Sequence, residues 1–427
     1  MFSLDFKQKV DRQIFGIFAY ILDRLSFLLG KFLNIDHSIK KENVKNIVIA
    51  KYLGLGSIVR SQVIIKDIKS SFPESKIHYL TSVKNKSLFD IIENVDNILT
   101  IDDSGIISMI ISTFKLVMNL INIKVDAFID LEVYSRYSSC IAIMSCARNR
   151  YGFFRYDVHW HIGIYTHMLY FNNQKNITDI YLQISHYLTS SNYSNKTIPT
   201  FLFKDKHKED VENYFNDILK IKNNNDVYIG INANASDLAL ERRYPPEYFT
   251  ELIENLLNIK EKQIFIFLIG SPSEKSYIEN EIYNKLSNKN NVFLTAGKFS
   301  LHSSIYLISK FDLFITTDSG PLHFAYAQNV SIISIWGPCS HLHYSLPNYN
   351  NDTAINSNAY CSPCIHLTVR PPCGGNNVCL KNIYPKVIYE YVVNKLGINK
   401  EINYTELFPK KLDNNKYYLG SVINNIH

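Results

Sequence analysis

Residues 311–338 read FDLFITTDSGPLHFAYAQNVSIISIWGP, and this stretch decides the fold. The apolar run LFITTD has the length and β-branched content of a buried strand, and it hands the chain to Ser319, Gly320 and Pro321. Proline there suits the first turn of a helix, which PLHFAYAQN continues before SIISIWG supplies another apolar strand. Strand, helix and strand in so few residues make a βαβ unit, with parallel strands and a right-handed crossover. Backbone N–H groups at the helix start, with the Ser319 hydroxyl, can hold a diphosphate, and His323 falls in the first turn beside them. A plain helix cap by Asp318 or Ser319 next to a core histidine fits the same residues, so the local pattern leaves both open.

The alternation extends outward in both directions. Upstream lie VYIGINA, PPEYFTELIENLLN, QIFIFLIG, SEKSYIENEIYNKL, NVFLTA and LHSSIYLISK, strand and helix by turns. The N-terminal half repeats the theme: IVIAKYL at 47–53 runs into Gly54 and Gly56, and a helix follows from Ser57 as candidate N-cap to the stop at Pro73. IHYLTS, a helix near 85–93, ILTID, a helix through 105–122 and DAFIDL come next. Both halves predict doubly wound parallel sheets, which bind ligands at the carboxyl ends of their strands. Residues 173–225 carry the weakest strand signal, although ITDIYLQISHYL and KEDVENYFNDIL look helical. The expected divisions are an N-terminal helical segment 1–45, a Rossmann-like domain 46–195, a linker 196–225, a second Rossmann-like domain 226–395 and a tail 396–427.

Composition narrows the class. With 427 residues, 46% hydrophobic and 20% charged, the chain suits two soluble domains rather than a disordered or multi-span protein. A net charge of +6 without a dense basic stripe argues against a nucleic-acid partner and allows contact with an anionic membrane surface or a phosphorylated substrate. The cysteines number 7, and Cys140, Cys146 and Cys339 lie in apolar stretches, which favours a reducing compartment. MFSLDFKQKVDRQ lacks the features of a secretory signal, so a cytoplasmic location is expected. In VDRQIFGIFAYILDRLSFLLGKFL at 10–33, Ile14, Ile17, Phe18, Ile21, Leu25, Leu28, Leu29 and Phe32 share one helical face, interrupted as a membrane span by Asp23 and Arg24. Two readings stay open: a helix packed on the body by that face, or a helix lying in the membrane interface.

The motifs together resemble a known family. DSGPLHFAYA followed by WGP is similar to the hallmark of the glycosyltransferase family that contains the ADP-heptose:lipopolysaccharide heptosyltransferases. KYLGLGSIVRSQVIIKDIKSSFPESKIHYLT, DAFIDLEVYSRYSS with ARNRYGF, INANASDLALERRYPPEYFTELI and AGKFSLHSSIYLIS resemble other segments of that family in its own order. The resemblance covers most of residues 45–385. It implies a GT-B architecture of two Rossmann-like domains facing a cleft, nucleotide in the C-terminal one and acceptor in the N-terminal one. It also implies an inverting reaction that needs no metal and no cofactor, the sugar nucleotide being a substrate.

Carried over residue by residue, Asp318, Ser319, Gly320 and His323 match the diphosphate and sugar contacts, and Arg242 matches a basic residue that neutralises the departing nucleoside diphosphate. Asn234 and Ser236 fall in a phosphate-contacting loop, and Gly270 ends a strand near the nucleotide; ordinary turns explain these three equally. The glycine turn departs from the family, having Gly56-Ser57 where Gly-Asp is usual, and a serine cannot take the acceptor's proton unaided. Glu132, at the end of DAFIDL, is the candidate replacement base, while Asp130 inside the strand reads as structural. Ser57, Gly56, Arg60 and Arg136 are expected on the acceptor side, with an exposed loop charge as the alternative for Arg136. Cys361, Cys364, Cys373 and Cys379 leave a structural zinc open, though similar cysteines recur in the family without a metal in its chemistry. The leading expectation is transfer of a heptose or related sugar, with ADP-heptose as the expected donor, to a lipopolysaccharide or other lipid-linked glycan, with the enzyme peripheral on the inner membrane. The rivals are a hexosyltransferase of capsule or O-antigen synthesis and an inactive sugar-nucleotide-binding scaffold.

Overall fold

The apolar runs fold as strands and the amphipathic stretches between them as helices, in two units, Met1–Leu202 and Phe203–His427. The structure, a computed structural model, describes residues 9–38, 44–155, 164–190, 198–219, 222–223, 225–235, 240–365, 367–368 and 371–398. The first unit begins with a short π-helical turn, Asp11–Phe15, that runs into α1 (Gly16–Leu33). The order is then β1 (Asn46–Ala50), α2 (Leu55–Ser71), β2 (Lys76–Ser82), β3 (Asn97–Ile101), α3 (Ile106–Ile123), β4 (Ala127–Asp130), α4 (Arg136–Met144), β5 (Asn149–Phe154), β6 (His167–Tyr170) and α5 (Ile177–Thr189). In the second unit come α6 (Asp205–Leu219), β7 (Asp226–Asn232), α7 (Pro246–Leu257), β8 (Gln263–Ile269), α8 (Lys275–Glu281), β9 (Val292–Leu294), α9 (Leu301–Ile308), β10 (Leu313–Thr317), α10 (Gly320–Ala327), β11 (Ile332–Trp336), β12 (Asp352–Asn356) and α11 (Pro385–Lys395).

Both sheets are wholly parallel among the described residues, in the orders β3-β2-β1-β4-β5-β6 and β9-β8-β7-β10-β11-β12. Each is the doubly wound order, with a switch point where the winding reverses: β1 beside β4, and β7 beside β10. Parallel strands are covered on both faces, so β1 and β10 are buried almost throughout. Right-handed crossovers put α2 on one face of the first sheet and α3 and α4 on the other. There α2 packs against α5, and α1 against α4.

Several details differ from the sequence reading. Helix α2 starts at Leu55 with Gly54 as its N-cap, so Ser57 sits inside the first turn and is not the cap. Gly54 has φ +82°, which only glycine adopts without strain, and its carbonyl accepts from Ile58 N at 3.1 Å. Residues Val83–Ile91 form a 3-10 helix. Strands β6 and β12 escaped the reading because edge strands need only a weak apolar pattern, and β6 is half exposed. Asp205–Leu219 is a helix, as KEDVENYFNDIL suggests, and it packs on α9.

Gly230 in β7 shows how tightly the second core is filled. A Cβ there would lie 2.2 Å from Cδ2 of Phe311 and 2.9 Å from Cδ2 of Phe314. Gly230→Ala is therefore expected to destabilise the second unit by about 1–3 kcal/mol through overpacking. Denaturant unfolding checks this, and an unchanged midpoint would refute the packing argument.

Candidate functional site

At the second switch point, the turns after β7 and β10 are laced together. Asn232 ends β7, and its Nδ2 donates to Ser319 Oγ at 2.8 Å, Thr316 Oγ1 at 3.0 Å and the Asn234 carbonyl at 3.3 Å. The Asn234 side chain turns back on its own loop, Oδ1 accepting from Ala235 N at 2.9 Å, and its carbonyl also accepts from Thr317 Oγ1 at 3.4 Å. Ser319 is the N-cap residue of α10 but makes no side-chain cap; its Oγ donates to the Thr317 carbonyl at 3.2 Å. The helix start at Gly320 thus keeps amides that no capping side chain satisfies, the arrangement that attracts an anion.

Beside that helix start, Arg242 and Asp318 form an ion pair, NH1 to Oδ2 at 3.4 Å. Arg242 arrives on a short 3-10 turn, Leu240–Arg242, and Asp318 directly follows β10. Burial pulls the Arg242 pKa down, but the Asp318 charge more than offsets it, so the guanidinium stays charged. Arg242 Nε and Asp318 Oδ2 are buried without a hydrogen-bond partner among the described residues. Each unmade bond of this kind costs about 1–3 kcal/mol, which a ligand would recover. Cys339 adjoins the pair as a buried free thiol; burial, then the Asp318 charge, push it well above its ordinary pKa. His323 is buried in the first turn of α10, its ring 6.0 Å from that of Tyr326.

At the first switch point, Glu132 reaches from the end of β4 across to the end of β1. Its Oε1 accepts from Tyr52 N at 2.7 Å and Leu53 N at 3.0 Å, and its Oε2 lies 2.9 Å from Lys51 Nζ. Burial draws the Lys51 ammonium down, and the Glu132 charge, helped by Tyr181 and Asp130, raises it on balance. Removing one partner of such a buried pair costs about 3–5 kcal/mol. Asp130 lies beneath, its Oδ1 accepting from Ser138 Oγ at 2.7 Å and Glu132 N at 2.9 Å, its Oδ2 from Tyr165 OH at 2.6 Å. Ser57 bonds toward Tyr181, which also feels Lys51, Glu132 and Arg60.

The structure therefore brings Asn234, Arg242, Asp318, Ser319, Gly320 and His323 to one strand edge, and Gly56, Ser57 and Glu132 to another. Gly270 directly follows β8, the strand next to β7, where a Cβ would meet Ile278 Cδ1 at 2.6 Å. Arg60 turns inward, its NH2 on Asn176 Oδ1 at 2.8 Å and Thr178 Oγ1 at 2.5 Å, and holds the start of α5. Arg136 faces the N-terminal helix, its NH1 on the Arg12 carbonyl and its backbone N on Asp11 Oδ2 at 3.0 Å. Ser236 lies outside the described residues. Cys361, Cys364, Cys373 and Cys379 are free thiols, and among the described residues no three His, Cys, Asp or Glu side chains converge as a metal site. Sequence reasoning missed Lys51, Asn232 and Cys339. A lysine inside IVIAKYL and an asparagine inside VYIGINA were the available signals, since a polar residue in a buried strand needs a partner.

Comparison with known proteins agrees with this architecture. The profile of glycosyltransferase family 9 (heptosyltransferase) matches residues 113–373, more than half of the chain. Lipooligosaccharide heptosyltransferase 2 of Campylobacter jejuni serotype O:6 is 26% identical over 218 residues, 45% of this chain and 66% of that protein. The enzyme of the same name from serotype O:2 is 27% identical over 169 residues, 39% of this chain, so the chain spans about two-thirds and half the length of these two relatives. Lipopolysaccharide heptosyltransferase 1 of Campylobacter coli is 22% identical over 82% of this chain and 99% of its own length. Among solved structures, a family 9 glycosyl transferase from Veillonella parvula has a TM-score of 0.68 at 18% identity, covering 85% of this chain and all of its own. E. coli ADP-heptose lps heptosyltransferase II has a TM-score of 0.64 at 18% identity, over 83% and 98%. The two Rossmann-like units are thus of the GT-B class.

Asp130 gives the first switch point a pH signature. Burial pushes its carboxyl up to about 7, against the hydrogen bonds from Tyr165, Ser138 and Glu132 N, which pull it down. A raised carboxyl pKa favours the folded state fully below the unfolded value of 3.8 and loses that contribution as pH rises through about 7. Asp130→Asn keeps an acceptor for Ser138 and Glu132 N but does not titrate. Its melting temperature minus that of the parent is expected to climb between pH 4 and pH 8, and a flat difference would refute the assignment.

Proposed function

The chain belongs to glycosyltransferase family 9, and from that premise we propose that it transfers a heptose from a nucleoside diphosphate, ADP by preference, to a lipopolysaccharide-type acceptor. The observation that carries the reading is the Arg242–Asp318 pair, a half-buried guanidinium on a buried carboxylate, short of hydrogen bonds beside the uncapped start of α10. In the proposed complex the helix-start amides and the Arg242 guanidinium face the diphosphate, and the Asp318 carboxylate and His323 face hydroxyl groups of the sugar. As the anomeric bond breaks, negative charge gathers on the leaving diphosphate, where a fixed cation and aligned amide dipoles stabilise it without reorganising. The same assignment makes the reaction independent of a divalent cation. Attack from the opposite face by the acceptor oxygen inverts the anomeric centre.

Glu132 is the proposed base, standing in for the family's aspartate that Ser57 replaces. Its neighbours keep it beside the glycine turn, where Gly56 and Ser57 are proposed to meet the acceptor. One observation favours a second reading, a donor-binding protein that does not transfer: three hydrogen-bond and ion-pair partners already engage the Glu132 carboxylate. Arg60 and Arg136, proposed from sequence for the acceptor, make contacts that hold α5 and the N-terminal helix, and we assign them to positioning.

Four measurements test this reading. Arg242→Gln is expected to lower turnover about 100-fold or more, the scale of losing one charge-stabilising donor. Turnover of the parent should withstand chelator; loss with chelator and return with magnesium would overturn the metal-free assignment. A thermal-shift panel of ADP-, UDP- and GDP-sugars should favour ADP-heptose, and a preference for a UDP- or GDP-hexose would replace the heptose with a hexose. Glu132→Gln retains an oxygen for the Tyr52 and Leu53 amides while losing the capacity to take a proton. It should cost about 100-fold or more in turnover at unchanged donor affinity. Activity within a few-fold of the parent removes Glu132 as base, and donor binding without any transfer by the parent selects the second reading.

A further inference from the structure

The apolar face read from sequence on the N-terminal helix points away from the protein. Ile14, Ile17, Phe18, Ile21, Leu25, Leu28, Leu29 and Phe32 are all about half exposed or more, Phe32 at 86%. The helix docks instead through Phe15, Ala19, Leu22 and Asp23, on the opposite side. Packing on the body by the broad apolar face is thereby overturned. A second helix does the same: α3 buries Leu116 and Leu120 and leaves Ile107, Ile110, Ile111, Phe114, Met118 and Ile121 outward, with Ile107 at 75% and Phe114 at 67% exposed.

The two helices lie on one face of the first sheet. Tyr137 of α4 touches both, its ring 4.9 Å from Phe15 at the foot of α1 and its hydroxyl 2.7 Å from Thr113 Oγ1 on α3. Ala19, Leu116 and Leu120 accordingly share one buried cluster. The exposed charges on the two helices are basic, and Asp102, in the turn before α3, holds Ser104 N. Arg12, Arg24 and Lys31 on the N-terminal helix and Lys115 and Lys124 on α3 are exposed, and α3 contains no acidic residue. Asp11 is spent on the backbone amides of Arg136 and Tyr137, and Asp23 is buried. Asp103, in the turn before α3, is paired with Lys84.

We propose that α1 and α3 together form a platform that lies flat in the headgroup layer of an anionic phospholipid bilayer. Outward Ile, Leu and Phe side chains enter the acyl boundary while the basic fringe meets lipid phosphates. Both helices are long and apolar enough to cross a membrane, yet neither is free to do so. Short turns join α3 at both ends to β3 and β4 of one sheet, and α1 is fastened along its length, as far as Ser26 Oγ, which accepts from Arg150 NH2 at 3.2 Å. A second copy of the chain is the wrong occupant, because a two-fold contact sets the basic fringe against itself. The proposal goes beyond the donor assignment and does not depend on it.

Sedimentation of the full chain with vesicles tests the platform, using phosphatidylglycerol mixed with phosphatidylethanolamine against phosphatidylcholine alone. The parent should bind the anionic vesicles at least about tenfold more tightly than the neutral ones. Ile17→Asp with Leu28→Asp, and separately Ile110→Asp with Phe114→Asp, should each weaken that binding at least about tenfold. Circular dichroism and the donor-induced thermal shift should match the parent, which separates loss of lipid binding from loss of the fold or of the donor site. The proposal fails if the α3 pair binds like the parent, if vesicle charge makes no difference, or if bound protein resists alkaline carbonate as a spanning helix does. It also fails if light scattering finds a dimer that these substitutions dissociate.

Discussion

Where a doubly wound sheet reverses its winding, two adjacent strands send the following chain to opposite faces, and the backbone in that fork has no strand to pair with. Both candidate sites are built on how the two forks are closed. Between β1 and β4 a single carboxylate, Glu132, takes the amides of Tyr52 and Leu53 and the ammonium of Lys51. Between β7 and β10 one amide, Asn232, ties the loop at Asn234 to the Ser319 turn. Buried polar groups of this kind cost more to leave unpaired than they gain when paired, so each closure fixes its fork in one geometry. The glycine turn that starts α2 and the uncapped start of α10 inherit their positions from these bonds.

The sheets were legible because parallel strands buried on both faces must be continuous apolar runs, and runs such as IVIA, FIFLI and LFITT have no other reading at that length. The hallmark was legible because proline and glycine punctuate it. What sequence could not supply was direction. Arg60 and Arg136 looked like ligand-facing charges, and both fold back on backbone and side-chain acceptors of their own unit. Periodicity likewise gave the N-terminal helix a broad apolar face but not its orientation. The helix docks through a narrower line around Ala19, whose small side chain allows close approach to α4, and the wide face is left over. A hydrophobic stripe identifies which side chains act together; only the neighbouring elements decide whether they face protein or something else.

Lys51 and Cys339 were hidden for a different reason. Each sits in an apolar context, and its partner is distant in sequence: Glu132 lies 81 positions from Lys51, and Cys339 adjoins Arg242 from the far side of β10 and β11. Local pattern shows that a lysine inside IVIAKYL needs a partner but not which residue supplies it. Asp130 was readable as structural, since a carboxylate inside a buried strand survives only with hydrogen-bond donors around it, and three donors are found.

The polar groups at these forks differ in how completely their neighbours use them. The Asn232 side-chain nitrogen is satisfied by three neighbours, whereas Arg242 Nε and Asp318 Oδ2 at the same fork sit buried with hydrogen-bonding capacity unspent. A fold that closes one polar network has no stability reason to leave the adjoining one open, and the proposed function gives that open capacity to the donor. Glu132 falls between these cases. A carboxylate offers about four lone-pair sites, and its neighbours occupy three, two on Oε1 and one on Oε2. In its proposed role the remaining site on Oε2 receives the acceptor hydroxyl, with Lys51 adjusting its grip as the proton crosses. Clamp and base are then one residue, and the loss of the aspartate at Ser57 is tolerable because the carboxylate that braces the glycine turn already stands beside it.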